Sequence, residues 1–152
     1  MKNTHKFLTA CLLLIGPLLL SAPANAAEHV VKMLNNGAGG MMIFEPAVLS
    51  VNKGDTVKFI ASDMSHNSVS VFTPPGATPW RGKMNEEISI TLDTPGVYIY
   101  ECTPHAMMAM VGVIQVGDDT SNIETAKNVA VQFKSSFVMN QTRLDEYLSK
   151  IY

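Results

Sequence analysis

Residues 88–102 read Ile88-Ser-Ile-Thr-Leu-Asp-Thr-Pro-Gly-Val-Tyr-Ile-Tyr-Glu-Cys102. Apolar and polar residues alternate from Ile88 to Leu92, which is the period of a strand buried on one face. Thr94-Pro95-Gly96 is a turn signal, because proline presets one backbone angle and glycine accepts angles closed to other residues. A run of β-branched and aromatic residues follows from Val97. The segment therefore predicts two strands separated by a turn.

Similar short segments lie on both sides of this one. Residues 30–34 alternate in the same way, Val57 and Phe59 fall on one face of residues 55–61, and residues 111–116 form a last apolar segment. Several period-2 segments separated by glycine and proline predict a mainly β domain, an antiparallel β-sandwich or barrel, over about residues 28–117. Residues 73–85 contain too many prolines for a central strand.

The pattern changes after Gly117, where helical spacing replaces alternation. Ser121-Asn-Ile-Glu124 fits a capping box, so we expect a helix from there to about Phe133. Asn140 is a candidate cap for a second helix, since apolar residues recur at helical spacing from Leu144 to Ile151. The sequence thus predicts two C-terminal α-helices, in a tail of about residues 120–151 that packs on the sheet.

The N-terminus has the form of a secretory signal peptide. Lys2 and Lys6 precede a 14-residue apolar run, and the small residues Ala24 and Ala26 follow it. This run is shorter than the roughly 20 residues that cross a bilayer as a helix. We expect residues 1–26 to be removed by cleavage after about Ala26, leaving a mature chain of residues 27–152 with no membrane span.

Cysteine count and charge narrow the function classes. Of the two cysteines, Cys11 lies in the predicted signal peptide, so Cys102 has no partner for an intramolecular disulfide. A lone thiol in an oxidising compartment is a liability unless it is buried or bound to a metal. The mature chain carries a net charge of −4 and has no basic cluster, which argues against nucleic-acid binding.

A set of soft ligands follows the second strand of the opening segment. Cys102, His105 and Met110 offer a thiolate, an imidazole and a thioether within nine residues. Thiolate and thioether prefer copper(I), imidazole accepts both copper states, and two histidines, a cysteine and a weak axial methionine form an electron-transfer copper site. His66 lies in an earlier loop and is the candidate for the second histidine. Cys-x2-His by itself is a weak signal, because free cysteines are often simply buried.

These features together resemble the pseudoazurins, small type 1 blue-copper proteins of bacterial periplasms. The resemblance covers nearly all of residues 28–152 and is carried by the following stretches: Met33-Leu-Asn-Asn-Gly37, Phe44-Glu-Pro46, Gly54-Asp-Thr-Val57, His66-Asn67 and Cys102-Thr-Pro-His105 with Met110. It implies a cupredoxin-like Greek-key β-sandwich with two C-terminal helices. It also implies one periplasmic copper ion per chain, bound by His66, Cys102 and His105 roughly in a plane with Met110 axial.

The leading functional interpretation is one-electron transfer between redox proteins. An enzyme of the copper oxidase or reductase kind needs a further histidine-rich copper site, and only His29 would remain for it. A periplasmic copper-delivery or storage protein is the alternative, because methionines are abundant. A metal-free adhesive sandwich leaves the ligand set unexplained.

The partner surface is predicted to be an apolar patch around His105. We name Met42, Pro104, Ala106 and Met108 as its members, because a small apolar contact suits a partner that must leave quickly. By analogy with relatives, the partner is a copper nitrite reductase or a c-type cytochrome, and the chain is expected to be a monomer.

The sequence departs from the pseudoazurins at positions where they commonly carry lysines around the copper end. This chain has Asn36, Met64 and Glu101 there. We therefore expect a weaker electrostatic contribution to docking than in those relatives, or a different partner.

Two residues beside the ligands are expected to tune the site. Asn67 can donate its backbone N–H to the Cys102 sulfur, and its side chain can tie the two ligand loops together. Pro104 has no N–H, so we predict that Pro104→Ala adds a donor near the sulfur and raises the reduction potential.

Overall fold

The structure is a computed structural model that describes residues 26–151. The predicted signal peptide lies outside the described residues apart from Ala26, so its cleavage stays a prediction. No helix in the described part of the chain is both long enough and apolar enough to cross a membrane.

Two four-stranded sheets pack face to face, which confirms the predicted sandwich. The strands are β1 Glu28–Gly37, β2 Gly40–Glu45, β3 Val48–Val51, β4 Thr56–Ala61, β5 Val69–Phe72, β6 Ile88–Thr91, β7 Gly96–Glu101 and β8 Val111–Val116. The first sheet has the order β2-β1-β4-β6 and the second β3-β8-β7-β5. The two strands expected from residues 88–102 are β6 and β7, and the turn between them carries the chain from the first sheet to the second.

The sandwich is mixed rather than antiparallel throughout. β1 pairs with β4 in parallel, and β3 pairs with β8 in parallel. The chain moves from the first sheet to the second for β3 and back again for β4. Strands far apart in sequence therefore become neighbours with the same direction. The period-2 pattern reports which face of a strand is buried and says nothing about the direction of its neighbour.

The core between the sheets is formed by the predicted inward residues. Val31, Met33, Val57 and Phe59 are all fully buried. Full burial of each such side chain stabilises the fold by roughly 1.5–3 kcal/mol. Aromatic rings fill the centre with edge-to-face, stacked and tilted contacts at centroid distances from 4.7 to 6.3 Å. They belong to Phe44, Phe59, Trp80, Tyr98 and Tyr100.

The C-terminal tail packs against the outer face of the second sheet; the sequence predicted the packing on the sheet but not the face. It contains α1 (Ile123–Phe133), a short 3₁₀ turn (Lys134–Ser136) and α2 (Arg143–Leu148). Its buried residues form one cluster with the outward side chains of β7 and β8, and this cluster includes Val97, Ile99, Val111, Val113, Ala126, Ala130, Leu144 and Leu148. β7 and β8 are thus buried on both faces, which holds them rigidly beneath the loop that joins them.

Both predicted helix caps are wrong, and the reasons are tertiary. No side chain caps α1; Asn122 instead donates Nδ2–H to the carbonyl oxygen of Val97 and accepts the Val97 N–H. Asn140 adopts a left-handed backbone with φ of 50° and donates Nδ2–H to the carbonyl oxygen of Met108. An asparagine amide can form hydrogen bonds with any backbone group within its reach. Here those groups lie on the sheet and on the loop after β7.

Candidate metal centre

Three of the four predicted ligands meet at one end of the sandwich. His66 lies in the loop between β4 and β5, Cys102 directly follows β7, and His105 lies in a 3₁₀ turn at Thr103–Met108. β5 and β8 both pair with β7 in the second sheet. The sheet therefore brings the two loops together, although His66 and Cys102 are 36 residues apart.

The donor atoms form a nearly equilateral triangle. Cys102 Sγ lies 3.5 Å from Nδ1 of His66 and 3.5 Å from Nδ1 of His105, and the two nitrogens are 3.2 Å apart. A point equidistant from the three atoms lies about 2.0 Å from each, which is close to metal–ligand lengths for nitrogen and sulfur donors. This is the one such cluster found among residues 26–151. The donor set and its spacing fit copper.

Met110 lies beside these three residues and is fully buried. Its carbonyl oxygen accepts the Cys102 N–H at 2.9 Å, and its own N–H donates to the carbonyl oxygen of His105 at 3.2 Å. Its side chain belongs to the same buried cluster as Cys102. Backbone bonds thus close the loop from Cys102 to Met110 at both ends.

His66 is oriented by a residue that the sequence analysis did not single out. Nε2–H of His66 donates to Oδ1 of Asn35 at 3.0 Å, which leaves Nδ1 as the free donor atom toward the site. Asn35 is held in turn, because its N–H donates to Oδ2 of Asp63 at 2.6 Å. Asn35 belongs to one of the stretches that carry the family resemblance. Its contact with His66 could not be predicted from the sequence, because that contact depends on the pairing of β1 with β4.

Two pKa shifts describe the ligands before a metal binds. Burial raises the pKa of the Cys102 thiol to about 11, although the N–H groups of Asn67 and His105 oppose the rise. Burial is also the main reason that the pKa of His66 is lowered, followed by the charge of His105. At neutral pH the site therefore offers a neutral imidazole and a protonated thiol, so metal binding must release the thiol proton.

Asn67 joins the two ligand loops, as predicted. Its Oδ1 accepts the Thr103 N–H at 2.8 Å, and its Nδ2–H donates to the carbonyl oxygen of Gly82 at 3.2 Å. Its backbone N–H is one of the groups that lower the Cys102 pKa. Donation from the Asn67 N–H to the sulfur stays a prediction.

The residues of the predicted apolar patch differ in their exposure. Of the predicted patch, Pro104 is exposed, whereas Met42, Ala106 and Met108 are half-buried. Met64, at one of the positions where lysines were expected in relatives, is 69% exposed. Glu101, at another, is half-buried, and burial is the main reason that its pKa is raised.

The chain is similar in sequence to known copper-binding proteins. The sequence profile described as "Copper binding proteins, plastocyanin/azurin family" matches residues 31–117. The chain is 39% identical over 136 residues to the pseudoazurin of Paracoccus pantotrophus, covering 88% of this chain and 90% of that protein. This alignment is longer than the segment matched by the profile, so the likeness extends beyond the sandwich.

Two solved pseudoazurin structures have a similar fold. The crystal structure of pseudoazurin from Methylobacterium extorquens AM1 is similar with a TM-score of 0.71 at 38% identity, covering 82% of this chain and 99% of that one. Native pseudoazurin from Hyphomicrobium denitrificans gives a TM-score of 0.71 at 34% identity, covering 82% and 98%.

Proposed function

The chain belongs to the pseudoazurins, within the plastocyanin/azurin family of copper-binding proteins, and from this membership we propose that His66, Cys102, His105 and Met110 hold its copper ion. Members of this family are electron carriers and not enzymes, and copper is their cofactor. The observation that carries the ligand assignment is the meeting of Cys102 Sγ with two imidazole Nδ1 atoms, each at 3.5 Å.

The proposed ligands are shielded from solvent except at His105. His66, Cys102 and Met110 are fully buried, whereas His105 is half-buried and reaches the surface. No hydrogen bond joins His105 Nε2 to any group among the described residues, so the ring edge is available to a partner. When bound, copper supplies a one-electron couple that soft sulfur and imidazole donors support in both oxidation states. With copper held there, the His105 ring would be the route by which an electron enters and leaves.

The docking surface is the apolar patch of Met42, Pro104, Ala106 and Met108 around that ring. Small contacts with few fixed hydrogen bonds allow the rapid release that redox partners need. A copper nitrite reductase in a denitrifying chain, or a c-type cytochrome, is the partner by analogy with relatives. Support for a weakly charged encounter comes from Met64 and Asn36, which expose uncharged side chains near the site.

The protein works in the periplasm as a monomer. The basic start, the short apolar run and the Ala-x-Ala end of residues 1–26 support export. Mass spectrometry of the protein isolated from the periplasm checks the cleavage after Ala26, and a cytoplasmic protein that retains residue 1 contradicts it.

Copper delivery or storage remains the alternative because several methionines at the surface are exposed, including Met41, Met64 and Met107. The two functions differ in how fast copper leaves. A carrier keeps its copper through many redox cycles, whereas a delivery protein yields copper to a modest chelator. The full burial of His66, Cys102 and Met110 favours retention.

The ligand assignment is tested by adding Cu(II) to the protein from residue 27 and recording visible and electron paramagnetic resonance spectra. We expect an intense thiolate-to-copper band with narrow hyperfine splitting, reversibly lost on reduction. Cys102→Ser abolishes the band. Met110→Leu keeps it but changes the reduction potential, and Met108→Leu, the matched control, leaves both unchanged. A colourless wild-type protein overturns the assignment, and rapid copper loss to a chelator moves the delivery function ahead.

A further inference from the structure

Arg143 is a buried cation at the first residue of α2. Its side chain is 7% exposed. Its Nη1 donates to the carbonyl oxygens of Ala109 at 3.0 Å, Met42 at 3.1 Å and Met41 at 3.3 Å. The guanidinium therefore joins the C-terminal tail, the start of β2 and the loop that carries the proposed copper ligands.

This placement is costly in itself and needs an explanation. Burying a charge is unfavourable unless it is paired or fully hydrogen-bonded, and no carboxylate forms an ion pair with Arg143 among residues 26–151. A cation at the N-terminal end of a helix also opposes the helix dipole. The contacts with three carbonyl groups are the interactions that offset these costs.

Among the three carbonyl groups that Arg143 contacts, that of Ala109 is directly bonded to a proposed ligand residue, Met110. This carbonyl and the N–H of Met110 belong to one planar peptide unit. The Met110 N–H donates to the carbonyl oxygen of His105. Fixing the Ala109 carbonyl thus fixes the peptide that links His105 to Met110. Ala109 has a left-handed φ of 58°, a conformation that persists in a non-glycine residue only where surrounding contacts impose it.

The same segment of the tail makes further bonds to this loop. The N–H groups of Val138 and Met139 lie 2.8 and 3.3 Å from the carbonyl oxygen of Met107, to which they donate. Nδ2–H of Asn140 donates to the carbonyl oxygen of Met108 at 3.2 Å. Carbonyl groups of three successive loop residues are therefore held by the tail.

We propose that Arg143 is a positioning residue for the copper centre and that residues 138–143 form a tail brace for the ligand loop. The role of the braced residues as ligands rests on the proposed function. Arg143 holds His105 and Met110 at one mutual spacing, so the loop keeps the same geometry in both oxidation states. The tail contributes no ligand, yet it limits how far the loop opens to release copper.

The test compares Arg143→Met and Arg143→Lys with wild type. Methionine retains an apolar stem without any donor. Lysine retains the charge and carries three donors on one nitrogen, but its shorter side chain cannot place them where Nη1 of arginine meets the three carbonyls. Lys134→Met is the matched control, because Lys134 lies in the same tail and pairs with Asp145 at the surface, away from the loop.

Amide hydrogen exchange of the copper-free protein is the first readout. Loss of charge-assisted hydrogen bonds raises local opening, so Arg143→Met is expected to speed exchange at Ala109 and Met110 roughly tenfold or more. Amides of β1 and β4 stay at wild-type rates. With copper bound, the same variant loses the metal to a chelator several-fold faster and its hyperfine splitting changes. Arg143→Lys lies between the two, and Lys134→Met matches wild type.

Three results overturn the proposal. The first is unchanged exchange at Ala109 and Met110 in both Arg143 variants. The second is faster exchange spread evenly over the chain, or equal in Lys134→Met. The third is a failure of both Arg143 variants to fold, which assigns the residue to overall stability. The exchange measurement does not depend on which residues bind copper, so it separates this proposal from the ligand assignment, which the wild-type spectra decide.

Discussion

The Nε2 atom of His66 lies 3.0 Å from Oδ1 of Asn35, on a strand 31 residues earlier in the chain. This hydrogen bond selects the tautomer in which Nδ1 is free to bind a metal. It is the kind of outer contact that orients a ligand ring and tunes its basicity.

Asn35→Ala is therefore expected to weaken copper binding by about 10–100-fold, the usual cost of losing such a contact. Competition with a chelator of known affinity measures the change. Asn36→Ala is the matched control, because Asn36 is an exposed neighbour on the same strand. Equal affinities of the two variants would contradict the role of Asn35.

Pro104→Ala is expected to raise the reduction potential. The substitution introduces a backbone N–H two residues after Cys102, and a donor to the ligand sulfur withdraws charge from it. Cyclic voltammetry of the copper-loaded variant measures the shift. Pro95→Ala, in the turn before β7, controls for the loss of a proline elsewhere. An unchanged or lowered potential counts against the explanation.

Gly112→Ala is expected to destabilise the protein by about 1–3 kcal/mol, the range for overpacking a core. Tyr100 is the cross-strand partner of Gly112, and a methyl group at residue 112 would lie 2.2 Å from Cζ of that ring. The ring cannot move away easily, since Phe44 and Phe59 pack against it. Urea unfolding measures the change. At Gly39 the added methyl group meets only an ordinary contact, so Gly39→Ala should be far milder.

Asp55 is expected to make the protein sensitive to strong acid. Hydrogen bonds from the Ala27 N–H, the His29 ring and the Asn52 N–H hold the pKa of this carboxyl at about 2, below its ordinary value of 3.8. Because the folded pKa is depressed, the contribution is present above about pH 4 and is lost as the pH falls toward 2.

Unfolding free energies measured between pH 2 and 7 check this expectation. Asp55→Asn should flatten the acid limb of the profile, since asparagine does not titrate. Asp118→Asn, at an exposed carboxyl, should leave the profile close to wild type. An acid limb that survives in Asp55→Asn would rule out this carboxylate as its cause.

Association with an acidic reductase is expected to depend weakly on salt. Exposed charges are screened within about 10 Å at 0.1 M salt. Association through a docking face with lysines therefore slows steeply as salt is added. This chain has Asn36, Met64 and Glu101 at the corresponding positions. Stopped-flow rates at increasing salt measure the slope, and Met64→Lys should steepen it. A steep slope in the wild type would contradict the prediction.

The local part of this architecture could be predicted from the sequence. Alternation placed β6 and β7 within one residue of their observed bounds and matched β8. This was possible because a strand with one buried face alternates apolar and polar residues along the sequence. The ligand loop could also be predicted, since Cys102, His105 and Met110 lie within nine residues. His66 could be named as the candidate for the second histidine from its place in an earlier loop, although no spacing connects residues 66 and 102.

The remaining features depend on contacts between distant segments. Parallel pairing of β1 with β4 brings Asn35 toward the loop of His66, and the docking of the tail brings Arg143 to carbonyl groups 34 and 101 residues away. Asn122 and Asn140 look like helix caps locally, yet they satisfy the sheet and the ligand loop. The sequence by itself indicated five of the eight strands, the two helices and a set of soft ligands, because these follow from periodicity and side-chain chemistry over a few residues. Only the tertiary structure decided which polar groups orient those ligands, because a buried hydrogen bond forms between whichever donor and acceptor the packed sheets bring together.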